Sequence, residues 1–122
     1  MSRQLLIRIA PFWILLVLIG SFMPGAKHAL GTSSSILTHR LYHVASFGSA
    51  ALILLLIADN GPRRLAALLG VVTLGVLIEF LQHSIYSIPV EWWDIRDDSV
   101  SAAGAWLVTA FPAVRNKILR TP

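Results

Sequence analysis

Apolar residues in this chain fall into four stretches, separated by short segments that carry most of the charged residues, prolines and glycines. The stretches cover residues 5–23, 41–58, 65–81 and 99–114. At about 1.5 Å per helical residue, each would span roughly 24 to 29 Å, enough for a thin bilayer core. Residues 65–78 are apolar on every side, whereas a helix of a soluble bundle keeps one polar stripe. The pattern predicts an all-α integral membrane protein with four short transmembrane helices in an antiparallel bundle.

Composition supports this interpretation. The chain is 56% hydrophobic and 13% charged, and its mean hydropathy is +0.72, far from the average of soluble domains. The four stretches occupy most of the 122 residues, so we expect a single membrane domain over 1–122. The absence of cysteine excludes disulfides and thiolate chemistry. Gly70, Gly75 and the small residues of 101–105 predict close helix contacts.

The basic residues predict the orientation of the chain. If the stretches alternate in direction, seven of the ten basic residues lie on the side of the termini. The positive-inside rule therefore predicts that both termini are cytoplasmic, where the basic side chains can contact anionic membrane lipids. Because no aromatic residues are interleaved with these bases, we expect no nucleic-acid partner. The seven are Arg3, Arg8, Arg63, Arg64, Arg115, Lys117 and Arg120, against Lys27, Arg40 and Arg96 on the other side.

The first stretch has a second interpretation. Basic residues followed by an apolar run resemble a secretory signal, which would be removed and would leave three spans. The segment 24–27 that follows is a poor cleavage site, so we expect the stretch to remain as a span. The Gly- and Ser-rich segment 24–35 is predicted to be a loop on the outer side.

Ionisable residues collect near the outer end of three predicted helices. Counting about 1.5 Å per residue from the inner boundary places His43 and Glu79 at roughly 22 Å and Asp98 at roughly 25 Å. Asp94 precedes Asp98 by four residues, and so shares a helix face with it if the helix begins near Trp93. We therefore expect these side chains to form one polar layer facing the outside of the cell.

Three interpretations of this layer remain open. His43, Glu79 and Gln82 can form a hydrogen-bonded network that only holds helices together. His43 with Glu79, Asp94 and Asp98 can instead carry acid–base catalysis, because a His near carboxylates can pass protons to a substrate. A Zn-like site is the third possibility, although we expect neither a metal nor another cofactor. Its ligands would be His39, His43, Glu79 and His83.

The start of the fourth stretch adds acidic and aromatic residues. Asp97 lies about 300° around a helix from Asp94, so we expect it to be a solvated residue that contributes little. Trp92, Trp93 and Tyr86 are predicted to anchor the chain in the headgroup region. The two tryptophans can also hold a lipid or sugar against the acidic residues.

Three motifs follow one another between residues 39 and 104: Arg40, His43 and Phe47, then Glu79 and Gln82 of E-x-x-Q, then the E-W-W-D-x-x-x-D segment 91–98. In this order they resemble the VanZ-like family. The chain has His39-Arg40 where the family often has Asp-Lys, and Ser101 where a glycine is common.

The resemblance implies a small multi-pass protein of the bacterial cytoplasmic (inner) membrane. It further implies an accessory role in the cell envelope that affects lipoglycopeptide susceptibility, with Arg40, Phe47, Gln82, Trp92 and Trp93 as binding residues. The alternative is a membrane-embedded hydrolase or transferase that acts on a lipid-linked envelope substrate at the outer face. A small proton-coupled exporter is the least favoured possibility, since Glu79 lies near one face of the membrane.

The predicted orientation can be tested with a reporter that is active only in the cytoplasm. The basic-residue asymmetry predicts activity when the reporter follows Pro122 or is inserted within 60–62, and no activity within 31–35. Fluorescence or enzyme activity of each fusion in cells is the measurement. An active reporter within 31–35 would contradict the orientation.

Overall fold

The computed structural model describes residues 1–23 and 35–119, with the backbone alone for residues 35 and 36. Within these ranges every regular element is a helix, which confirms the all-α prediction. The predicted loop, the poor cleavage site after the first stretch and the last three residues lie outside the described residues. The helices are α1 (Arg3–Phe22), α2 (Ser35–Ile57), α3 (Gly61–Tyr86), α4 (Trp92–Ala110) and α5 (Pro112–Leu119).

Local sequence explains where the helices begin and end. The Ser2 side chain accepts a hydrogen bond from the Leu5 amide at the start of α1, and Asn60 accepts one from the Arg63 amide at the start of α3. Pro62 lies in the first turn of α3, where its missing N–H costs nothing. α3 ends at Tyr86, and the next residue, Ser87, caps it. Ser87 has a left-handed φ of 56°, and its N–H donates to the His83 carbonyl.

The largest departure from the predicted boundaries is in the fourth stretch. The helix α4 covers Trp92–Ala110, so it begins before the apolar stretch 99–114 and ends within it, and a separate helix follows. The start is earlier because the charged turn 94–98 is helical and places its carboxylates against side chains of α2. The end is earlier because Pro112 has no N–H to donate to the preceding turn and opens α5 instead. The other three helices extend beyond the predicted starts at 5, 41 and 65.

Among the residues that the structure describes, three helices are long and apolar enough to cross a membrane, namely Arg3–Phe22, Leu37–Ile57 and Gly61–Tyr86. Large apolar side chains such as Phe12 and Leu37 are more than two-thirds exposed on these helices. Such surfaces are compatible with contact to lipid and with a multi-pass membrane protein. α4 is not among the three, because its first two turns carry Asp94, Arg96, Asp97 and Asp98.

α2 packs against α1, α3 and α4, and the apolar core lies around it. The fully buried Phe47, Ala51 and Leu55 of α2 meet Val17 of α1 and Ile78 of α3 in this core. Deletion of one such large buried side chain typically costs about 2 to 5 kcal/mol of stability. The core therefore fixes α2 relative to the other helices and, with it, the polar residues near its first turns.

One end of the molecule, which we call the terminal end, holds Met1, the turn 58–60 and α5. Arg3 donates to the Ile57 carbonyl (2.8 Å) and Arg115 to the Ala58 carbonyl (2.7 Å), so two arginines satisfy the free carbonyls at the C-terminus of α2. Asp59 is paired with Arg3 and Arg63. The hydrogen bond from Arg63 holds the pKa of Asp59 below its ordinary value.

The opposite end, which we call the site end, holds the first turns of α2 and α4 and the last turns of α3. α2 and α4 run in the same direction there: His39 contacts Asp94 and His43 contacts Asp98, in both cases 55 positions along the chain. Two residues spaced four apart on one helix thus face two residues spaced four apart on the other. This parallel register is what assembles the polar layer.

Gly75 makes the close approach of α3 to α4 possible. A Cβ atom at this position would lie 2.7 Å from Oδ2 and 3.3 Å from Cβ of Asp98, a separation that real Cβ atoms do not adopt. The predicted contact at Gly75 is therefore present. Gly70 and Gly104, by contrast, have no atom within 4 Å of an added Cβ.

Alanine substitutions at the two α3 glycines should have opposite effects. Gly75→Ala forces Asp98 to move and should lower the free energy of unfolding by about 1 to 3 kcal/mol. Gly70→Ala meets open space and should be neutral, or stabilising by up to about 1 kcal/mol through helix propensity. Thermal unfolding of the detergent-solubilised variants measures both. Equal behaviour of the two variants would show that Gly75 is not a packing constraint.

Candidate functional site

Two histidines of α2 meet two aspartates of α4 at the site end. His43 donates from Nδ1 to Oδ1 of Asp98 (2.9 Å), and its Nε2 lies 3.3 Å from Oδ2 of Asp94. His39 Nε2 lies 2.8 Å from the same Asp94 oxygen. Asp94 therefore lies between two imidazoles, and His43 lies between two carboxylates. We call His39, His43, Asp94 and Asp98 the His–Asp cluster.

The cluster is buried at its centre and open on one side. Asp94 and Asp98 are only 2% and 1% exposed, and His43 is 5% exposed. The side chain of His39, in contrast, is 28% exposed, and that of the neighbouring Glu91 is 42% exposed. A ligand or water molecule can therefore reach the cluster from the side of His39 and Glu91.

α3 adds a third helix to the layer through Glu79. This carboxylate is buried, and its Oε2 accepts a hydrogen bond from the Glu91 amide (3.1 Å). One oxygen each of Glu79, Glu91 and Asp94 lies within 4.8 Å of the other two. α3 and α4 are thus neighbours at the site end, as the sequence predicts for a shared layer. The short contacts of His43, however, are made with Asp94 and Asp98 of α4.

Phe47 and Gln82, two predicted binding residues, lie away from the open side. Phe47 is completely buried, and its ring stacks on that of His43 with an angle of 3° between the planes. It therefore supports the imidazole from behind. Gln82 donates to the Ser21 carbonyl and so ties α3 to α1, while its own Oε1 is buried without a hydrogen-bond partner among the described residues.

The environment of Asp97 differs from the one predicted from the sequence. It is not a solvated residue: it is 6% exposed and accepts two hydrogen bonds from Arg40, at 2.7 and 3.2 Å. Arg96 donates to it as well, at 2.6 Å. The rotation about α4 that separates Asp97 from Asp94 turns it toward Arg40 of α2, one position after His39, so the same helix interface buries it.

The aromatic residues lie at the start of α4. Trp92 and Trp93 are about two-thirds exposed, as expected for rings in a headgroup region, and Tyr86 donates to the Phe22 carbonyl. Arg96 lies over the ring of Trp93 at 4.5 Å from its centroid. Trp93 and Arg96 thus form an exposed pair at the start of α4, and Arg96 shares Asp97 with the half-exposed Arg40.

The arrangement supplies what proton transfer requires. Because Asp98 accepts the Nδ1 proton of His43, the lone pair of the neutral imidazole is at Nε2, toward Asp94. Glu79 provides a further carboxylate, equally buried and carried by a different helix. Of the metal ligands suggested by sequence, His39 and His43 come together with Asp94, while His83 lies apart and bonds to the Ile88 carbonyl.

No role was predicted for Glu91 or Arg96. Glu91 is the residue that caps the start of α4, three positions before Asp94. Its place beside the cluster therefore depends on where α4 begins, which the sequence pattern did not fix. Arg96 has no signal in the sequence, because its pairing with Asp97 is a contact between adjacent residues on the outside of the interface.

No protein-family model matches the chain, and searches of curated proteins and of solved structures also return no match. The fold and the cluster therefore stand on this molecule's own geometry. The resemblance to the VanZ-like family rests on the sequence motifs alone.

Removal of the charge at residue 97 should destabilise the protein more than the same change at residue 59. Both aspartates pair with two arginines, but Asp97 is buried whereas the side chain of Asp59 is 42% exposed. Asp97→Asn leaves two guanidiniums without their acceptor at a helix interface, and the solvated pair at Asp59 is worth little. The measurement is the midpoint temperature of thermal unfolding of each variant, compared with that of the wild type. A smaller fall for Asp97→Asn than for Asp59→Asn would contradict this assignment.

Proposed function

We propose that this chain is a VanZ-like protein of the bacterial cytoplasmic membrane with four antiparallel spans and both termini in the cytoplasm. The His–Asp cluster would then face the outside. The basic-residue asymmetry supports the orientation, since the terminal end carries Arg3, Arg63 and Arg115. The fourth span is α4. The free-energy cost of its charged turn at membrane depth is reduced because each carboxylate there has a cationic or imidazole partner on α2.

The function that the geometry supports best is hydrolysis or group transfer on a lipid-linked envelope substrate. A single observation carries it: a buried histidine is held by Asp98 at Nδ1 and directs Nε2 toward Asp94, whose other imidazole partner, His39, is partly exposed. A purely structural network needs no member in contact with solvent. His43 Nε2 would take the proton from an attacking water or hydroxyl group, and Glu79 would return a proton to the leaving oxygen.

The surroundings of the cluster favour a substrate that stays in the membrane. The exposed apolar surfaces of the helices suit an acyl or polyprenyl chain, and Trp92 and Trp93 suit its headgroup or sugar. Arg40 and Arg96 add positive charge around Asp97 at the site end, which suits an anionic group. The partners would be membrane lipids and a lipid-linked cell-wall precursor.

This activity is consistent with an accessory role in the envelope. A changed precursor or lipid at the outer face would alter the target or the access of lipoglycopeptides, the effect that the family resemblance implies. Proton-coupled export is less well supported. The ionisable groups lie at one end of α2, α3 and α4, and a coupling carboxylate is expected nearer the middle of the membrane.

Comparison of lipid extracts tests the enzymatic proposal. Cells with the gene should contain a lipid or precursor species that cells without it lack, or the reverse. Loss of the acid–base group in His43→Gln or Glu79→Gln should lower the yield of that species by about 10²- to 10⁴-fold. Asp94→Asn should act in the same direction.

His83→Gln is the matched control, since this histidine is exposed, lies on the same end of α3 and is outside the cluster. It should leave the extract unchanged. Membrane insertion and thermal unfolding of each variant separate lost chemistry from lost folding. A wild-type extract from a well-folded His43→Gln protein would show that the histidine is structural.

A further inference from the structure

Three atoms of the kind that bind transition metals converge in the His–Asp cluster. They are Nε2 of His39, Nε2 of His43 and Oδ2 of Asp94, and each lies within 4.8 Å of the others. The two distances to the Asp94 oxygen are 2.8 and 3.3 Å. Zinc binds imidazole and carboxylate at about 2.0 to 2.2 Å in a tetrahedron, so neighbouring ligand atoms lie roughly 3.3 Å apart. The separations therefore fit one shared ion with little rearrangement.

The spacing on α2 supports the same set. His39 and His43 are one turn apart, and two histidines at i and i+4 on a helix present their rings to one point. Their ring centroids are 4.7 Å apart. The carboxylate comes from a different helix, as it does when a folded structure assembles a site from separate parts of a chain.

Asp98 supplies a second and independent observation. A histidine that binds a metal through one nitrogen usually donates the other N–H to a carboxylate, which fixes the ring and raises its basicity. His43 makes this contact with Asp98 at 2.9 Å. The lone pair of His43 Nε2 then faces the lone pairs of Asp94 Oδ2 across 3.3 Å. Two electron-pair donors in this position require a cation between them, either a proton or a metal ion.

The charge of the layer favours the metal ion. Five carboxylates face two guanidiniums among the described residues of the site end, a formal charge of minus three with neutral imidazoles. Four of the carboxylates are more than nine-tenths buried, and uncompensated charge in such surroundings is costly. A divalent ion would remove most of this excess. The carboxylates are Glu79, Glu91, Asp94, Asp97 and Asp98.

We propose that His39, His43 and Asp94 form a binding site for a divalent transition-metal ion of the zinc type, with Asp98 as the residue that positions His43. The ion would enter past His39 and Glu91, whose side chains are partly exposed. Glu91 Oε2 is 3.6 Å from His39 Nε2, close enough to become a fourth ligand or to face a bound water. Two imidazoles, one carboxylate and an open position are the ligand set of catalytic zinc.

This inference deepens the proposed function, and the role of the ion in catalysis rests on that function. A bound ion would activate the attacking water in place of the His43 imidazole, leaving Glu79 to accept its proton. The loss of activity expected for His43→Gln would then follow from the loss of a ligand. Metal binding itself depends only on the geometry.

The test is a titration of the purified full chain in detergent after treatment with a chelator. Co²⁺ is followed by its ligand-field absorption and Zn²⁺ by calorimetry, with no substrate present. We expect one equivalent of either ion and a tetrahedral Co²⁺ spectrum. Asp98→Asn should weaken Zn²⁺ binding by about 10- to 100-fold, because it leaves the ligands in place but loosens His43.

His39→Gln and His83→Gln are the matched pair. Residue 39 is at the partly exposed edge, so its replacement should spare the fold while it weakens Zn²⁺ binding more than Asp98→Asn does. His83→Gln should bind as the wild type does. Absence of stoichiometric binding, or equal affinity in the two variants, would overturn the metal site.

The two proposals fail in different ways. If the lipid species depends on His43 but resists chelation and no ion binds, the metal site is wrong and the proposed enzyme stands. If one ion binds through His39 and the lipid extracts do not differ, the metal site stands and the proposed activity is wrong.

Discussion

The parallel pairing of α2 with α4 through two imidazoles and two carboxylates is the contact on which the rest of the molecule depends. Each helix places polar groups one turn apart, and the shared offset of 55 positions lets both pairs form together. A shift of one residue would rotate these groups by about 100° and leave buried carboxylates without partners. The hydrogen bonds therefore select one register from the many that apolar packing alone would allow.

Neighbouring features follow from this register. The ring of Phe47, stacked on His43, gives the imidazole an apolar support that holds its plane. Gly75 leaves room for Asp98, since any side chain there would push the carboxylate away from His43. Arg40 pairs with Asp97 on the adjacent face of α4, at the solvent-exposed edge of the contact between α2 and α4. Together these contacts hold Nε2 of His43 toward Asp94.

The same charges explain why α4 is polar in composition and yet packs closely against α2. Four charged residues in its first two turns make its composition more polar than that of the three apolar helices. Their partners on α2 neutralise much of that polarity once the helices are packed. The same charges without partners would be unfavourable in lipid, so α4 depends on its pairing with α2. Burial of ionisable groups at such cost is the physical reason to look for chemistry at the site end.

The sequence by itself determined the helical class, three of its four predicted spans as long apolar helices, and the residue types of the polar layer. Their depth follows from counting the helical rise, which is why His43, Glu79 and Asp98 were expected together. Counting the rise gives the depth of a residue but not the direction in which its side chain points around the helix axis. Only the tertiary structure decided that His43 meets Asp94 and Asp98, that Asp97 is buried against Arg40, and that α4 begins at Trp92. These features depend on pairing between residues more than fifty positions apart, and such contacts leave no periodic signal in a single sequence.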